Sequence, residues 1–312
     1  MRRAQRLAAV LLLLACPAER ASPIAGSRLR VLGVAQDGGL PHAACTCERC
    51  EAARADPSRA AHVASLALVS DAGVVLVDAT PDLRAQLDLL ADVRDAPTAA
   101  VDRAPLDGVL LTHAHVGHYL GLAFLGFEAI HAEAVPVWAT PKMGRFLRDN
   151  APWAQLVEKR EIDLRALEPG APLRLGDVAV TAFTVPHRDE YADTVGYRFA
   201  GPHATVVYIP DTEPWSRWSA PVEETLHGAD IALLDGTFFS ADELPGRAVE
   251  SIGHPLVRDT MDRLAPLVAH GLVVYFTHLN HSNPALDPAS PERKEMEARG
   301  FHVLEEGQEI PL

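Results

Sequence analysis

Three histidines within six residues constrain this chain more than any other feature. His113-Ala114-His115-Val116-Gly117-His118 follows directly on 108–112, an apolar run that reads as a buried strand. Tyr119-Leu120-Gly121-Leu122 then opens a helix. Two histidines two positions apart at a strand end share a face, and a third at the turn converges from the side. Imidazole is the commonest protein ligand for metals, and three convergent neutral nitrogens with an open position make a catalytic zinc site. Scattered core or surface histidines are the competing reading, and their crowding at one strand mouth argues against it.

The surrounding pattern predicts strands at 29–34, 63–69, 74–78, 108–112, 135–139, 178–185, 195–199, 205–209, 231–234 and 272–277. Helices are expected at 81–93, from about 141, and late in the chain. The late helix has Ser290 as N-cap, Pro291 at its first position and Gly300 as a left-handed cap. Strands, helices and strands again imply an α/β fold of two sheets faced by helices, in one unit over 22–312. The 48% hydrophobic and 22% charged residues suffice for such a core and exclude general disorder.

Cys45-Thr46-Cys47-Glu48-Arg49-Cys50 is a second cluster. Disulfides compete as an explanation, but three cysteines cannot all pair with one another, and the spacing suits thiolates closing on one structural Zn²⁺. His281, three residues after His278, is the expected fourth ligand, with His42 in reserve.

Residues 1–21 read as a signal peptide: Arg2, Arg3 and Arg6 precede the apolar 7–15. Leu13-Leu14-Ala15-Cys16 also reads as a lipobox, which would lipidate Cys16. Ordinary cleavage after Ala18 or Ala21 is the alternative. The expectation is therefore an exported protein, periplasmic or lipid-anchored to the envelope, with no other contact with a membrane. Loss of the three leader arginines takes the formal charge from −14 to −17. That balance argues against a nucleic-acid partner, which needs a basic field, and leaves a small-molecule or peptide-derived substrate.

The histidine cluster resembles the HxHxDH motif of the metallo-β-lactamase superfamily, and further landmarks follow in that order. Asp78 ends a strand; His187 stands in Val185-Pro186-His187, Asp211 in Tyr208-Ile209-Pro210-Asp211 and His278 in Tyr275-Phe276-Thr277-His278. The resemblance implies an αββα sandwich, two mixed sheets flanked by helices. It implies one metal on His113, His115 and His187, a second on His118 and His278, and Asp211 between them. Gly117 stands where the superfamily has an aspartate, which weakens the second site. Asp189, Asp193, Glu213 and Asp235 are the candidates to replace it in space. The active site is thus expected to hold one or two Zn²⁺, with Fe²⁺ as the other metal that such ligands accept. The pairing of CxCxxC with Thr277-His278-Leu279-Asn280-His281 also resembles a phosphodiesterase of phosphonate breakdown.

Several strings resemble the coenzyme PQQ synthesis protein B family, among them Gln36-Asp37-Gly38-Gly39-Leu40-Pro41, Leu234-Asp235-Gly236-Thr237-Phe238-Phe239 and Ile252-Gly253-His254-Pro255. Three functions are therefore expected to compete. The first is a metallohydrolase that activates a metal-bound water, with Asp211 and His254 as catalytic groups. The second is an iron-dependent oxygenase or redox enzyme tailoring a PQQ-type cofactor. The third is a non-catalytic exported carrier that keeps a metal pocket.

Overall fold

The computed structural model describes residues 26–94, 99–246, 248 and 251–312. The expected leader and Cys16 lie outside them. In chain order the strands are β1 (Arg28–Gly33), β2 (Ser65–Ser70), β3 (Gly73–Val77), β4 (Gly108–Leu110), β5 (Val135–Ala139), β6 (Ile162–Ala166) and β7 (Pro172–Leu175). They continue as β8 (Val178–Thr184), β9 (Val195–Ala200), β10 (Thr205–Ile209), β11 (Ile231–Asp235), β12 (Val273–Thr277), β13 (Phe301–Val303) and β14 (Glu309–Pro311). Two seven-stranded mixed sheets result, ordered β14-β1-β2-β3-β4-β5-β6 and β13-β12-β11-β10-β9-β8-β7. The first half of the chain builds one sheet, the second half the other, and β14 returns to close the first.

Alternation of side chains sorts the residues into layers. Val75 and Val77 of β3 join Val180, Tyr197, Phe199 and Tyr208 in the core between the sheets. Val74 and Leu76 face the opposite way, toward Leu83, Leu122, Met143 and Leu147 of the helical layer. In the other sheet Val207 and Ile209 turn outward to Val257, Met261 and Leu264 of the Val257–Ala269 helix. A strand buried on both faces must be apolar throughout, which explains the uninterrupted valine-rich runs. The late helix, Pro291–Ala298, starts as expected: Ser290 Oγ accepts from the Arg293 N–H at 3.0 Å, and Gly300 has φ +80°. The helix expected at 81–93 is shorter, Leu83–Asp88. Among the described residues no helix is long and apolar enough to cross a membrane.

Strand direction decides where the chemistry gathers. β3 and β4 are parallel, as are β10, β11 and β12. β1 is antiparallel to β2 and β2 to β3, so β1 runs with β3; by the same count β8 runs with β10. The C-terminal ends of all seven strands therefore meet at one rim.

Two bonds tie β9 to the end of β4 across the sandwich. Val195 N–H donates to Thr112 O at 3.1 Å, and the buried Tyr197 hydroxyl donates to Leu111 O at 2.5 Å. Tyr197→Phe would strand a buried carbonyl just before His113. A loss of about 1–2 kcal/mol is expected in urea unfolding, with the fold retained; an unchanged midpoint would show that this bond does not hold the histidine loop.

Candidate metal centre

The rim carries one residue after another from the strand ends: Asp78 after β3, His113 after β4, His187 after β8, Asp211 after β10, Asp235 at the end of β11 and His278 after β12. Asp78 (φ +67°) and His278 (φ +59°) hold left-handed backbone. That conformation is unfavourable for residues with a Cβ and clusters at functional sites.

Asp211 lies at the centre. Its Oδ2 is 3.2 Å from His187 Nε2, 3.3 Å from His113 Nε2, 3.8 Å from His278 Nε2, 3.9 Å from His115 Nδ1 and 3.9 Å from His118 Nε2. His187 Nε2 and His115 Nδ1 are 3.0 Å apart. Two ligands on one ion, each about 2.0–2.1 Å from it, lie about 3.3 Å apart at a tetrahedral angle and about 4 Å apart when opposite. His113, His115, His187 and Asp211 fit that spacing as one group. His118 and His278 gather on the other side of Asp211 with a residue the sequence reading did not select: Asp37, whose Oδ1 is 3.6 Å from His118 Nε2 and 4.0 Å from His278 Nε2.

The outer bonds set which ring nitrogen faces inward. His118 Nδ1 donates to Asp78 Oδ2 at 2.7 Å. Thr112 Oγ1 donates to Asp78 and lies 3.0 Å from His113 Nδ1, which donates to it. The other sheet repeats the device. Thr237 Oγ1 donates to Asp235 Oδ1 at 2.7 Å and lies 3.0 Å from His278 Nδ1. His115 points Nε2 at Glu190 Oε2, 3.3 Å away, which leaves Nδ1 for the centre. As a result the Nε2 atoms of His113, His118 and His278 and Oδ1 of Asp37 are buried without hydrogen-bond partners. Each unmet buried polar atom costs about 1–3 kcal/mol, so these four, gathered on the two sides of Asp211, call for bound cations.

The electrostatics agree. Burial, and then the charge of His118, push His113 well below its ordinary range, so it presents a lone pair rather than a proton. Burial also lowers His118, but the carboxylates of Asp78, Asp37 and Asp211 outweigh it and raise the group to about 9. Burial opposes the charge on Asp211, yet the positive potential of His278, His187 and His254 holds it well below the usual carboxylate range. The pocket is arranged for added positive charge, which a divalent metal supplies.

His254 borders this centre. Its Nδ1 is 2.9 Å from Asp235 Oδ2 and 3.2 Å from Asp211 Oδ1. Burial lowers it, but the charges of Asp235 and Asp211 dominate and raise it well above its ordinary value. Asp235 is fully buried and is spent on orientation, accepting from the Thr212 and Thr237 N–H groups as well. The other carboxylates considered for the place at Gly117 are engaged elsewhere: Asp189 with Thr194, Asp193 with Thr140 and Glu213 with Arg217.

The cysteine cluster is a separate centre. His281 Nδ1 stands 3.7, 3.7 and 3.6 Å from Sγ of Cys45, Cys47 and Cys50. Sulfur and nitrogen ligands on one tetrahedral zinc lie about 3.5 Å apart. Cys47 caps the helix Glu48–Ala55 and Cys50 sits in its first turn. None of the three is in a disulfide. Burial pushes the Cys50 thiol up to about 11, so a thiolate there needs a cation beside it. His42 lies against His281, ring centroids 4.5 Å apart and planes tilted by 43°, but its Nδ1 turns to Ala43 O, so His281 is the ligand that fits. Arg49 donates to His281 O at 2.8 Å, and Arg54 donates to Cys45 O at 2.5 Å. The first loop is thereby fastened to the loop that carries His278.

Two facing mixed sheets with a histidine–aspartate centre on their common rim define a protein of the metallo-β-lactamase type. The model of the β-lactamase superfamily domain matches residues 74–279. Coenzyme PQQ synthesis protein B of Cupriavidus necator is 30% identical over 317 residues, covering 91% of this chain and 99% of that protein. The protein of the same name from Rhodopseudomonas palustris is 30% identical over 313 residues, with 91% and 99% covered. The crystal structure of Zn²⁺-bound PqqB from Methylobacterium extorquens matches with a TM-score of 0.76 at 25% identity, covering 91% of this chain and 100% of that one. A diphosphatase from the PhnP family shares the fold, with a TM-score of 0.65 at 23% identity and coverage of 92% and 98%. This chain belongs to the β-lactamase superfamily, within the family of coenzyme PQQ synthesis protein B.

Cys47→Ser, at an exposed position, should lower the zinc content of the purified protein by one ion per chain and lower its melting temperature. Elemental analysis and a thermal melt check this. Unchanged zinc content would remove the cysteine cluster as a metal site.

Proposed function

We propose that this protein is a metal-dependent hydrolase that opens a phosphodiester, ester, thioester or lactam bond in a small or peptide-derived substrate. The observation that carries the reading is Asp211 Oδ2, set within 3.2–3.9 Å of five imidazole nitrogens. His113, His115, His187 and Asp211 would hold one ion; His118, His278 and Asp211 would contribute to a second. A bound divalent ion there acidifies a water and polarises the bond to be broken.

The remaining groups serve proton transfer and alignment. Asp211, ionised and held from several sides, positions the reacting centre. His254 is kept protonated by Asp235 and Asp211 through Nδ1, so it can give a proton from Nε2 to the departing group. It also lines a cavity of about 440 Å³ together with Trp215 and Arg263, which gives a leaving group room beside it. Asp235 fixes the ring through Nδ1.

The 30% identity to coenzyme PQQ synthesis protein B favours a second reading, a step in the synthesis of a PQQ-type cofactor, for which we propose oxidative tailoring of a precursor with iron. The two readings separate in one assay series. Chromogenic phosphodiester, ester, thioester and lactam substrates should be turned over by the Zn²⁺- or Mn²⁺-loaded protein. His254→Gln should lower kcat about 10²–10⁴-fold with metal content unchanged. Hydrolysis absent for every class, with oxygen consumed by the Fe²⁺-loaded protein, would transfer the assignment to the second reading. Tight quinone binding with neither activity would make the protein a carrier.

A further inference from the structure

Gly117 and Asp37 compete for one place. A Cβ built on Gly117 would lie 2.0 Å from Asp37 Oδ1 and 2.9 Å from its Cα. No side chain fits at 117 while Asp37 stands there. The oxygen occupying that space has no hydrogen-bond partner and faces the Nε2 atoms of His118 and His278, which have none either. Its distances to them, 3.6 and 4.0 Å, exceed hydrogen-bond lengths. They match those between Asp211 Oδ2 and the same two nitrogens, 3.9 and 3.8 Å. Asp37 Oδ1 and the two nitrogens thus form one group of metal size, with Asp211 Oδ2 beside both nitrogens.

We propose that Asp37 is a ligand of the second metal position, supplying from the β1 loop the carboxylate that residue 117 cannot carry. The set is then His118, His278, Asp37 and Asp211. Two imidazoles and a carboxylate of its own, beside the shared Asp211, suit Zn²⁺, Mn²⁺ or Fe²⁺. The loop is fixed for the task. Leu279 N–H donates to Val34 O at 2.8 Å, and Gln36 N–H donates to Leu279 O at 2.9 Å. Asn280 Nδ2 donates to Gln36 Oε1 at 2.5 Å. Asp37 is thus held by the residues that follow His278, the other ligand on that side.

The proposal rests on the metal-centre reading above, but not on hydrolysis, so its test reads metal binding. Wild type, Asp37→Asn, Gly117→Asp and the Asp37→Gly/Gly117→Asp double variant are stripped and titrated with Zn²⁺ against a chromophoric chelator. Circular dichroism confirms the fold of each. Wild type should take up two pocket ions beyond the cysteine zinc. Asp37→Asn, nearly isosteric, should weaken one of them about 10–100-fold and leave the other. Gly117→Asp, crowded against Asp37, should also weaken it. The double variant, with the carboxylate moved back across the gap, should regain it.

Wild-type affinity for both ions in Asp37→Asn would overturn the proposal and leave the metal-centre reading intact. So would a folded double variant no tighter than Asp37→Asn. A wild type that binds no pocket ion would overturn both.

Discussion

One carboxylate oxygen facing five imidazole nitrogens sets the terms for the rest of this structure. Asp211 Oδ2 and the bare nitrogens of His113 and His278 are all acceptors, and acceptors brought together in a buried place repel unless something positive lies between them. The fold places them there because four strands of one direction, β4 from one sheet and β8, β10 and β12 from the other, end at the same rim. The cost of gathering them is the reason to infer a cation, independently of any family likeness.

The two sheets solve the same orientation problem in the same way. On one side the Thr112–Asp78 pair holds His113 and His118. On the other, Thr237–Asp235 holds His278 and His254. In each, the threonine hydroxyl donates to the aspartate and is thereby left as an acceptor toward an imidazole Nδ1. This fixes the tautomer and turns Nε2 inward, the arrangement that raises ligand basicity and lowers the mobility of the ring. His254 differs from the other three in that its Nδ1 also lies 3.2 Å from Asp211 Oδ1, a second carboxylate that raises its pKa.

The first sheet's ligands were legible in the sequence because they are contiguous: His113, His115 and His118 fall within one short segment behind an apolar strand. His187, Asp211 and His278 needed the order of landmarks in a known superfamily. Asp37 was not legible as a ligand. It lies far from the histidines in sequence, in a glycine-rich string with no periodicity, and only the common direction of β1 and β3 brings it to the rim. The threonines were equally silent, since a threonine at a strand end is ordinary. The central strands were read nearly to the residue, whereas the four that escaped, β6, β7, β13 and β14, are the four sheet edges. β13 and β14 have three residues each, and β6 and β7 are exposed along much of their length, so they lack the unbroken apolar run that marked the others.

Metal ions are inferred at two places, one among Cys45, Cys47, Cys50 and His281 and the other around Asp211. Anomalous difference maps at the zinc edge, from crystals grown without chelator and soaked in Zn²⁺, locate them directly. One peak within the cysteine cluster and peaks on both sides of Asp211 Oδ2 are expected. A map with the cysteine peak alone, and water or nothing between Asp211 and the histidines, would contradict that inference.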